Sequence, residues 1–257
     1  MAPVTHDEQL LAGGNVGRVW RVGDTVRRET GPWTPAVMRL LGHLAPRLPA
    51  VPRHHGTDER GREVLDFLPG LVVDVDREQL SKAQLAAVVA WTRRLHETTR
   101  GLDLRGPWRF PSAPGADLIG HNDVAPYNLC FVTGAPDRLA GVFDWDLAGP
   151  TTARLELGFL AWNCVPLYRV PPVDDPDAWT ASRLRLVATA YGEPGLEARD
   201  VLAGALERLA WVAVALVRAA DDGDAGMRRL RATGEPERTL RALRGLRDRA
   251  GAITAHL

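Results

Sequence analysis

The sequence predicts an α+β fold of two lobes with a cleft between them. A small β-rich lobe spans residues 1–66, and a larger helical lobe with a β-hairpin set inside it spans residues 67–257. Three observations predict this. Short β-prone runs crowd the first quarter of the chain. After Gly70 the apolar residues recur at helical spacing. Inside that helical part, LCFV and LAGVFDWD read as two apolar strands around the turn TGAPDR.

The elements follow in order. GRVWRV, residues 17–22, and DTVRRE, residues 24–29, are split by Gly23 and predict a hairpin. Thr34 then caps a helix with Pro35 at its first position, and Val37, Leu40, Leu41 and Leu44 share one face. PRLPAVPRHHG breaks that helix, and REVLDFLPG, residues 62–70, forms a strand stopped by Pro69 and Gly70. Ser81 caps a second helix that carries Leu85, Val88, Val89, Thr92 and Leu95 on one face. A Pro/Gly-rich loop, residues 106–115, leads into LIGHNDVAPYNLCFV. Beyond the hairpin, Leu202, Leu206, Leu209, Ala213 and Leu216 mark a buried helical stripe. DDGDAG, residues 221–226, is a turn, and RTLRALRGLRDRAGAI an amphipathic helix whose arginines form a solvated face.

Composition excludes several classes. Apolar residues are 45% and charged residues 25% of 257, as in ordinary globular proteins. Lys+Arg and Asp+Glu are both 32, so the net charge is zero, whereas a nucleic acid or an anionic membrane as partner usually goes with a basic excess. Lys82 is the sole lysine; every other basic residue is arginine. Cys130 and Cys164 lie outside any CxxC pair and read as buried free thiols rather than zinc ligands. The N-terminus lacks the basic start and apolar run of a signal peptide, and no window approaches the roughly 18 unbroken apolar residues of a membrane span. The expectation is a cytoplasmic protein with no membrane partner.

The chemistry concentrates in HNDVAPYN, residues 121–128. Asp123 and Asn128 stand in the pattern D-x-x-x-x-N, with His121 two residues before the aspartate. Phosphoryl transfer needs a carboxylate to accept the proton of the attacking hydroxyl and oxygen ligands to hold Mg²⁺ against the phosphates. Asp123 fits the first role and Asn128 the second. Asp144, in VFDWD, ends an apolar strand sixteen residues after Asn128, and a hairpin of that length folds it back beside Asn128. A two-carboxylate hydrolase could also use Asp123 and Asp144, but it leaves Asn128 and the upstream lobe without a role. His121, Tyr127 and Trp145 read as packing residues.

LIGHNDVAPYNLCFV followed by LAGVFDWDLAGP closely resembles the aminoglycoside phosphotransferase family of small-molecule kinases, which share the protein kinase-like two-lobe fold. The resemblance implies Asp123 as catalytic base, and Asn128, Asp144 and, as in some relatives, Asp146 at the metal. TTARLELGFLAW resembles the start of a family helix, with Glu156 where an aspartate is usual, and LHE around His96 resembles a second family helix. LAGGNVGRVWRV resembles the strand–loop–strand that covers the ATP phosphates, which implies Gly14, Asn15, Val16 and Gly17 at the nucleotide. Asp66, Phe67 and Leu68 fall where the lobes join and where the family binds the adenine edge through backbone groups. The family's lysine and its glutamate partner are missing: no acidic residue lies between Glu29 and Asp58. Arg27 aligns with the basic position. Arg27 and Arg28 face opposite ways along a strand, and Arg27 is taken as the one facing the cleft.

The expected activity is ATP-dependent, Mg²⁺-dependent transfer of the γ-phosphate to a hydroxyl of a small molecule. The alternative is a nucleotide-binding module of the same fold with little catalysis, in an immunity or regulatory role. From Thr151 onward there are 15 arginines and 14 acids, a balance unlike the acid-rich pocket a polycationic aminoglycoside needs. A metabolite, another antibiotic, or the peptide-antibiotic immunity linked to some relatives stays open.

Overall fold

Gly23 adopts a left-handed backbone, φ 61°, which lets the chain reverse between two β-prone runs. The structure, a computed structural model, describes residues 8–11, 18–75, 78–103 and 105–257. In the first lobe, β1 (Gln9–Leu10), β2 (Val19–Val22), β3 (Thr25–Arg28), β4 (His54–Thr57) and β5 (Glu63–Asp66) form an antiparallel sheet in the order β1-β2-β3-β5-β4. The β2–β3 hairpin is the predicted one; β4, whose HHGT carries no strand signal, is not. Register places Arg28 opposite Glu63 and Arg27 opposite Val64.

Helix α1 (Thr34–Leu44) follows β3 and buries Val37, Leu40, Leu41 and Leu44, as their spacing requires. Its cap differs from expectation. Trp33 holds the N-cap position without a side-chain bond, and the Thr34 hydroxyl accepts from the Gly31 N–H at 2.8 Å. Thr34 is already inside the helix, so its oxygen turns back to the preceding loop. Helix α2 (Lys82–Thr99) begins at Ser81 with a reciprocal capping box to Gln84 and buries Leu85, Val88, Val89, Thr92 and Leu95.

The second lobe contains two small antiparallel pairs. β6 (Leu118–Gly120) pairs with β9 (Gly149–Thr151), and β7 (Leu129–Val132) pairs with β8 (Ala135–Val142). Around them pack α3 (Ala153–Cys164), α4 (Pro176–Tyr191), α5 (Ala198–Asp221), α6 (Ala225–Ala232) and α7 (Glu237–Ala255). Helices α3 and α5 cross at glycines: a Cβ on Gly158 would lie 2.2 Å from the Gly204 backbone, so only two small residues permit the approach. That crossing brings Glu156 of α3 and Arg208 of α5 beneath the loop 121–128, at Asn122. One apolar cluster runs through both lobes, joining Leu41, Leu44 and Leu65 to Val88, Leu95, Leu129 and Leu157. Among the described residues no helix is long and apolar enough to cross a membrane.

Cys130 and Cys164 are free and buried. Burial pushes their thiols up to about 11 and about 12. Since the thiolate is the reactive form, neither should react with a disulfide reagent at pH 7.5 in the native protein, and both should react on unfolding in guanidinium. Titration of released chromophore checks this.

Candidate functional site

The loop 121–128 is tied at its base by the β6–β9 pair and from below by a buried carboxylate. Glu156 accepts from the Asn122 N–H at 2.9 Å through Oε1 and from His96 Nε2 at 2.6 Å through Oε2. The Tyr191 hydroxyl meets the other ring nitrogen of His96 at 2.9 Å. The two helix motifs noted in the sequence thus meet at one buried triad. Gly120 is required there, because a Cβ would stand 1.9 Å from Glu156 Oε2. Asn122 takes a left-handed φ of 64°, which asparagine tolerates better than most residues. Its side-chain Nδ2 donates to the Gly149 carbonyl at 3.0 Å. Arg208, fully buried on α5, approaches the Asn122 carbonyl at 3.5 Å and stacks 4.4 Å over Trp211.

His121 is a packed histidine, as expected. Its Nε2 donates to the Phe143 carbonyl at 3.1 Å, its Nδ1 accepts from the Asp123 N–H at 3.2 Å, and its ring meets Trp145 edge-on at 4.6 Å. Burial lowers its basicity. Asp123 accepts from Asn128 Nδ2 at 2.8 Å and from the Tyr127 hydroxyl at 3.3 Å. Burial, then the charge of Asp144, pushes Asp123 up to about 8. Tyr127 is therefore more than packing: half its surface is exposed and its hydroxyl reaches the aspartate.

The hairpin does what its length allows. Leu129 pairs with Val142, and the Phe143 N–H donates to the Asn128 carbonyl at 3.0 Å. Asn128 and Asp144 therefore share its open end. Asp144 sits in a left-handed conformation, φ 64° and ψ 66°, a strained setting for a non-glycine residue. Trp145 behind it is buried and donates to the Val142 carbonyl at 3.0 Å. Asp146 follows in the one-turn 3-10 helix Trp145–Leu147.

The arginine that reaches these carboxylates is Arg28, not Arg27. Arg28 Nη2 lies 2.7 Å from Asp144 Oδ1 and 3.0 Å from Asp146 Oδ1, while Nη1 lies 3.5 Å from Glu63 Oε1. Arg27 donates to Thr25 Oγ1 at 2.6 Å and faces Asp58 at 3.8 Å, on the other side of the sheet. Period-two alternation separates the two arginines, and the pairing of β3 with β5 decides which faces in. Glu63 supplies the missing acidic partner, from a strand rather than the helix. Burial pushes Glu63 up to about 7, against the pull of Arg28. Its signal was a glutamate in step with Leu65 on the inward face of β5.

Two further residues complete the network. Arg109, from the Pro/Gly-rich loop, contacts Asp146 Oδ2 at 3.3 Å, grips both oxygens of Asp224 at 2.8 Å, and lies 4.0 Å over Trp33. Asp224 also caps α6 through the Met227 N–H. It belongs to a run that reads as a solvated turn, so spacing gave no sign of this contact. Glu63, Asp144, Asp146 and Asp224 set four carboxylates against the guanidinium groups of Arg28 and Arg109.

Gly14, Asn15, Val16 and Gly17 lie outside the described residues. Asp66, Phe67 and Leu68 stand at the junction of the lobes. The Asp66 and Phe67 amides donate to Arg53 and Asp24 carbonyls at 3.1 and 2.9 Å, and the Leu68 carbonyl accepts from the Cys130 thiol at 3.6 Å. A cavity of about 610 Å³ opens elsewhere, beside Arg185, Gly192, Glu193 and Arg199, remote from these carboxylates.

The donor set fits Mg²⁺. Asn128 and Asp144 offer hard oxygen donors, and the excess of carboxylates over guanidiniums leaves room for a divalent charge. Among the described residues no cluster of three or more His, Cys, Asp or Glu is gathered for a metal.

Small sheet lobe, helical lobe and this loop–hairpin site together define a protein kinase-like small-molecule kinase architecture. The model of the phosphotransferase enzyme family matches residues 108–177, which include Asp123, Asn128, Asp144 and Asp146. The chain is 36% identical over 205 residues, 73% of this chain and 75% of that protein, to the trifolitoxin immunity protein of Rhizobium leguminosarum bv. trifolii. It superposes on a microcompartment-associated aminopropanol kinase with TM-score 0.58 at 14% identity, covering 97% of this chain and 90% of that one. On the streptomycin–ATP–APH(2")-IIa ternary complex the TM-score is 0.54 at 11% identity, covering 86% and 91%. The chain belongs to the aminoglycoside phosphotransferase family.

The buried triad has a measurable cost when broken. Burial alone would raise the Glu156 carboxyl, but His96 and the Asn122 N–H outweigh it and hold it below its ordinary 4.5. Glu156 thus stabilises the fold fully above that value, and the contribution is lost as pH falls through the lower folded value. Glu156→Ala should lower stability by about 2–6 kcal/mol in denaturant unfolding at pH 7, because it strands two buried partners, His96 Nε2 and the Asn122 N–H, at about 1–3 kcal/mol each. The native protein should lose Tm as pH falls below 4.5, and Glu156→Gln should flatten that fall.

Proposed function

We propose that this protein transfers the γ-phosphate of ATP to a hydroxyl group of a small molecule. One observation carries the reading: Asp123, Asn128 and Asp144 converge at the open end of the β7–β8 hairpin, with the Arg28 guanidinium facing them from the other lobe. Family membership supports a phosphotransferase, and an ATP-bound neighbour of the same fold supports ATP as donor.

In this mechanism Arg28 grips the nucleotide phosphates through its planar fork, in place of the family's lysine. Glu63 and Asp146 hold the guanidinium in the cleft. Asn128 and Asp144 would hold Mg²⁺, which would supply neutralisation of the phosphate charge. Asp123 accepts the proton of the acceptor hydroxyl as its oxygen attacks the γ-phosphorus. The new O–P bond forms, the bond from the γ-phosphorus to the β–γ bridging oxygen breaks, and ADP leaves. The elevated affinity of Asp123 for a proton suits a base working near neutral pH. Asn128 and Tyr127 orient its two oxygens. Asp146, with both oxygens engaged by arginines, acts as a positioning residue rather than a metal ligand.

A second reading has one specific support, the immunity role in the name of the 36% identical relative. A chain that protects by binding would need nucleotide and partner but no base. ATP consumption across a panel of small-molecule alcohols separates the two. Asp123→Asn should reduce turnover by about 10²–10⁴-fold, the usual contribution of a general base, while Mg·ATP still raises the melting temperature. Nucleotide binding with no turnover that depends on Asp123 would leave the binding module standing.

A further inference from the structure

Asp144 has two claimants. As a proposed Mg²⁺ ligand it must give a carboxylate oxygen to the ion, yet Oδ1 already accepts from Arg28 Nη2 at 2.7 Å. Arg28 has other anchors. Glu63 stands 3.5 Å from Nη1 and Asp146 stands 3.0 Å from Nη2. Asp146 is itself fixed, since its second oxygen meets Arg109, which is clamped on Asp224. Glu63 on one side, and Asp146 backed by Arg109 and Asp224 on the other, form with Arg28 a rail of nearly buried ion pairs. Asp144 is the loose end, with 41% of its side chain exposed against 16% for Asp146. Among the described residues Arg28 is the one cation in ion-pair contact with it.

A guanidinium and a divalent cation repel each other at one carboxylate, and partial burial weakens the screening that would let them share it. A polyphosphate offers the guanidinium a better partner, because its oxygens match the planar fork. The rail lets Arg28 release Asp144 without leaving the cleft.

We infer that Arg28 is a built-in competitor of the divalent cation at Asp144, so that the cation takes its seat together with a nucleotide whose phosphates draw the guanidinium away. The inference rests on the phosphotransferase reading and names how its metal site is loaded. Binding of cation and nucleotide is then coupled through Arg28 and reciprocal.

Mn²⁺ is the probe, titrated into the full chain without nucleotide and read as loss of the free Mn²⁺ signal in electron paramagnetic resonance. Arg28→Gln should bind Mn²⁺ about 10-fold more tightly than the native protein, within the usual range for coupled sites. The gain should vanish in Arg28→Gln/Asp144→Asn. Arg27→Gln changes the net charge equally but clears nothing from Asp144, so it should leave Mn²⁺ affinity near native. Arg28→Gln/Glu63→Gln removes the pair together; it guards against misfolding around an unpaired buried Glu63, and it should still bind Mn²⁺ more tightly. The inference is overturned if both Arg28 variants bind Mn²⁺ no better than the native protein, if Arg27→Gln gives the same gain, or if the gain survives loss of Asp144. The titration contains no ATP. Failure of the native protein to bind Mg·ATP would count against the phosphotransferase reading alone.

Discussion

The guanidinium of Arg28 reaches across the cleft between two lobes. It leaves β3 on the inward face of the sheet, pairs with Glu63 on the neighbouring strand, and ends on Asp144 and Asp146 of the helical lobe. Burying a cation is costly unless it is paired, so its position constrains several others. The strand register must bring Glu63 opposite it. The chain after β8 must turn so that Asp144 and Asp146 both face it. Arg109 and Asp224 must hold the far side of Asp146. Losing one partner would strand the rest of an alternating row of charges.

The second constraint lies beneath the loop. Glu156 anchors the Asn122 backbone and binds His96, which reaches Tyr191. The crossing of α3 and α5 at Gly158 and Gly204 sets the depth of Glu156 and Arg208. Above this layer Asn128 and Tyr127 orient Asp123. Hydrogen bonds from both layers fix the loop and the Asp123 carboxylate in place, as the proposed role of a base requires.

Much of this was legible in the chain. The Gly23 hairpin, the Ser81 cap and the α2 stripe follow from local rules, and the structure has all three, the cap as a reciprocal box with Gln84. The spacing of Asp123, Asn128 and Asp144 sufficed to predict their meeting, because a hairpin's register is a short-range property. What was not legible depends on pairings distant in sequence. Alternation says that Arg27 and Arg28 diverge, but the inward face is chosen by β5, 35 residues away from Arg28 at Glu63. The acidic partner was sought on α1, as in the resembling family, whereas it comes from β5. The three-residue strands β6 and β9 are too short to carry a periodicity. Asp224 looks like a turn residue and is one, capping α6 while it also grips Arg109.

The central claim is that Arg28, Asn128 and Asp144 form one Mg²⁺–nucleotide site. A crystal structure of the protein with Mg²⁺ and a non-hydrolysable ATP analogue tests it most directly. The account predicts a metal ion bound by Asn128 and Asp144, with Arg28 on the phosphates and Glu63 and Asp146 still holding it. Nucleotide bound away from the cleft, or phosphates bound there while Arg28 remains on Asp144 and no metal reaches that carboxylate, would contradict it.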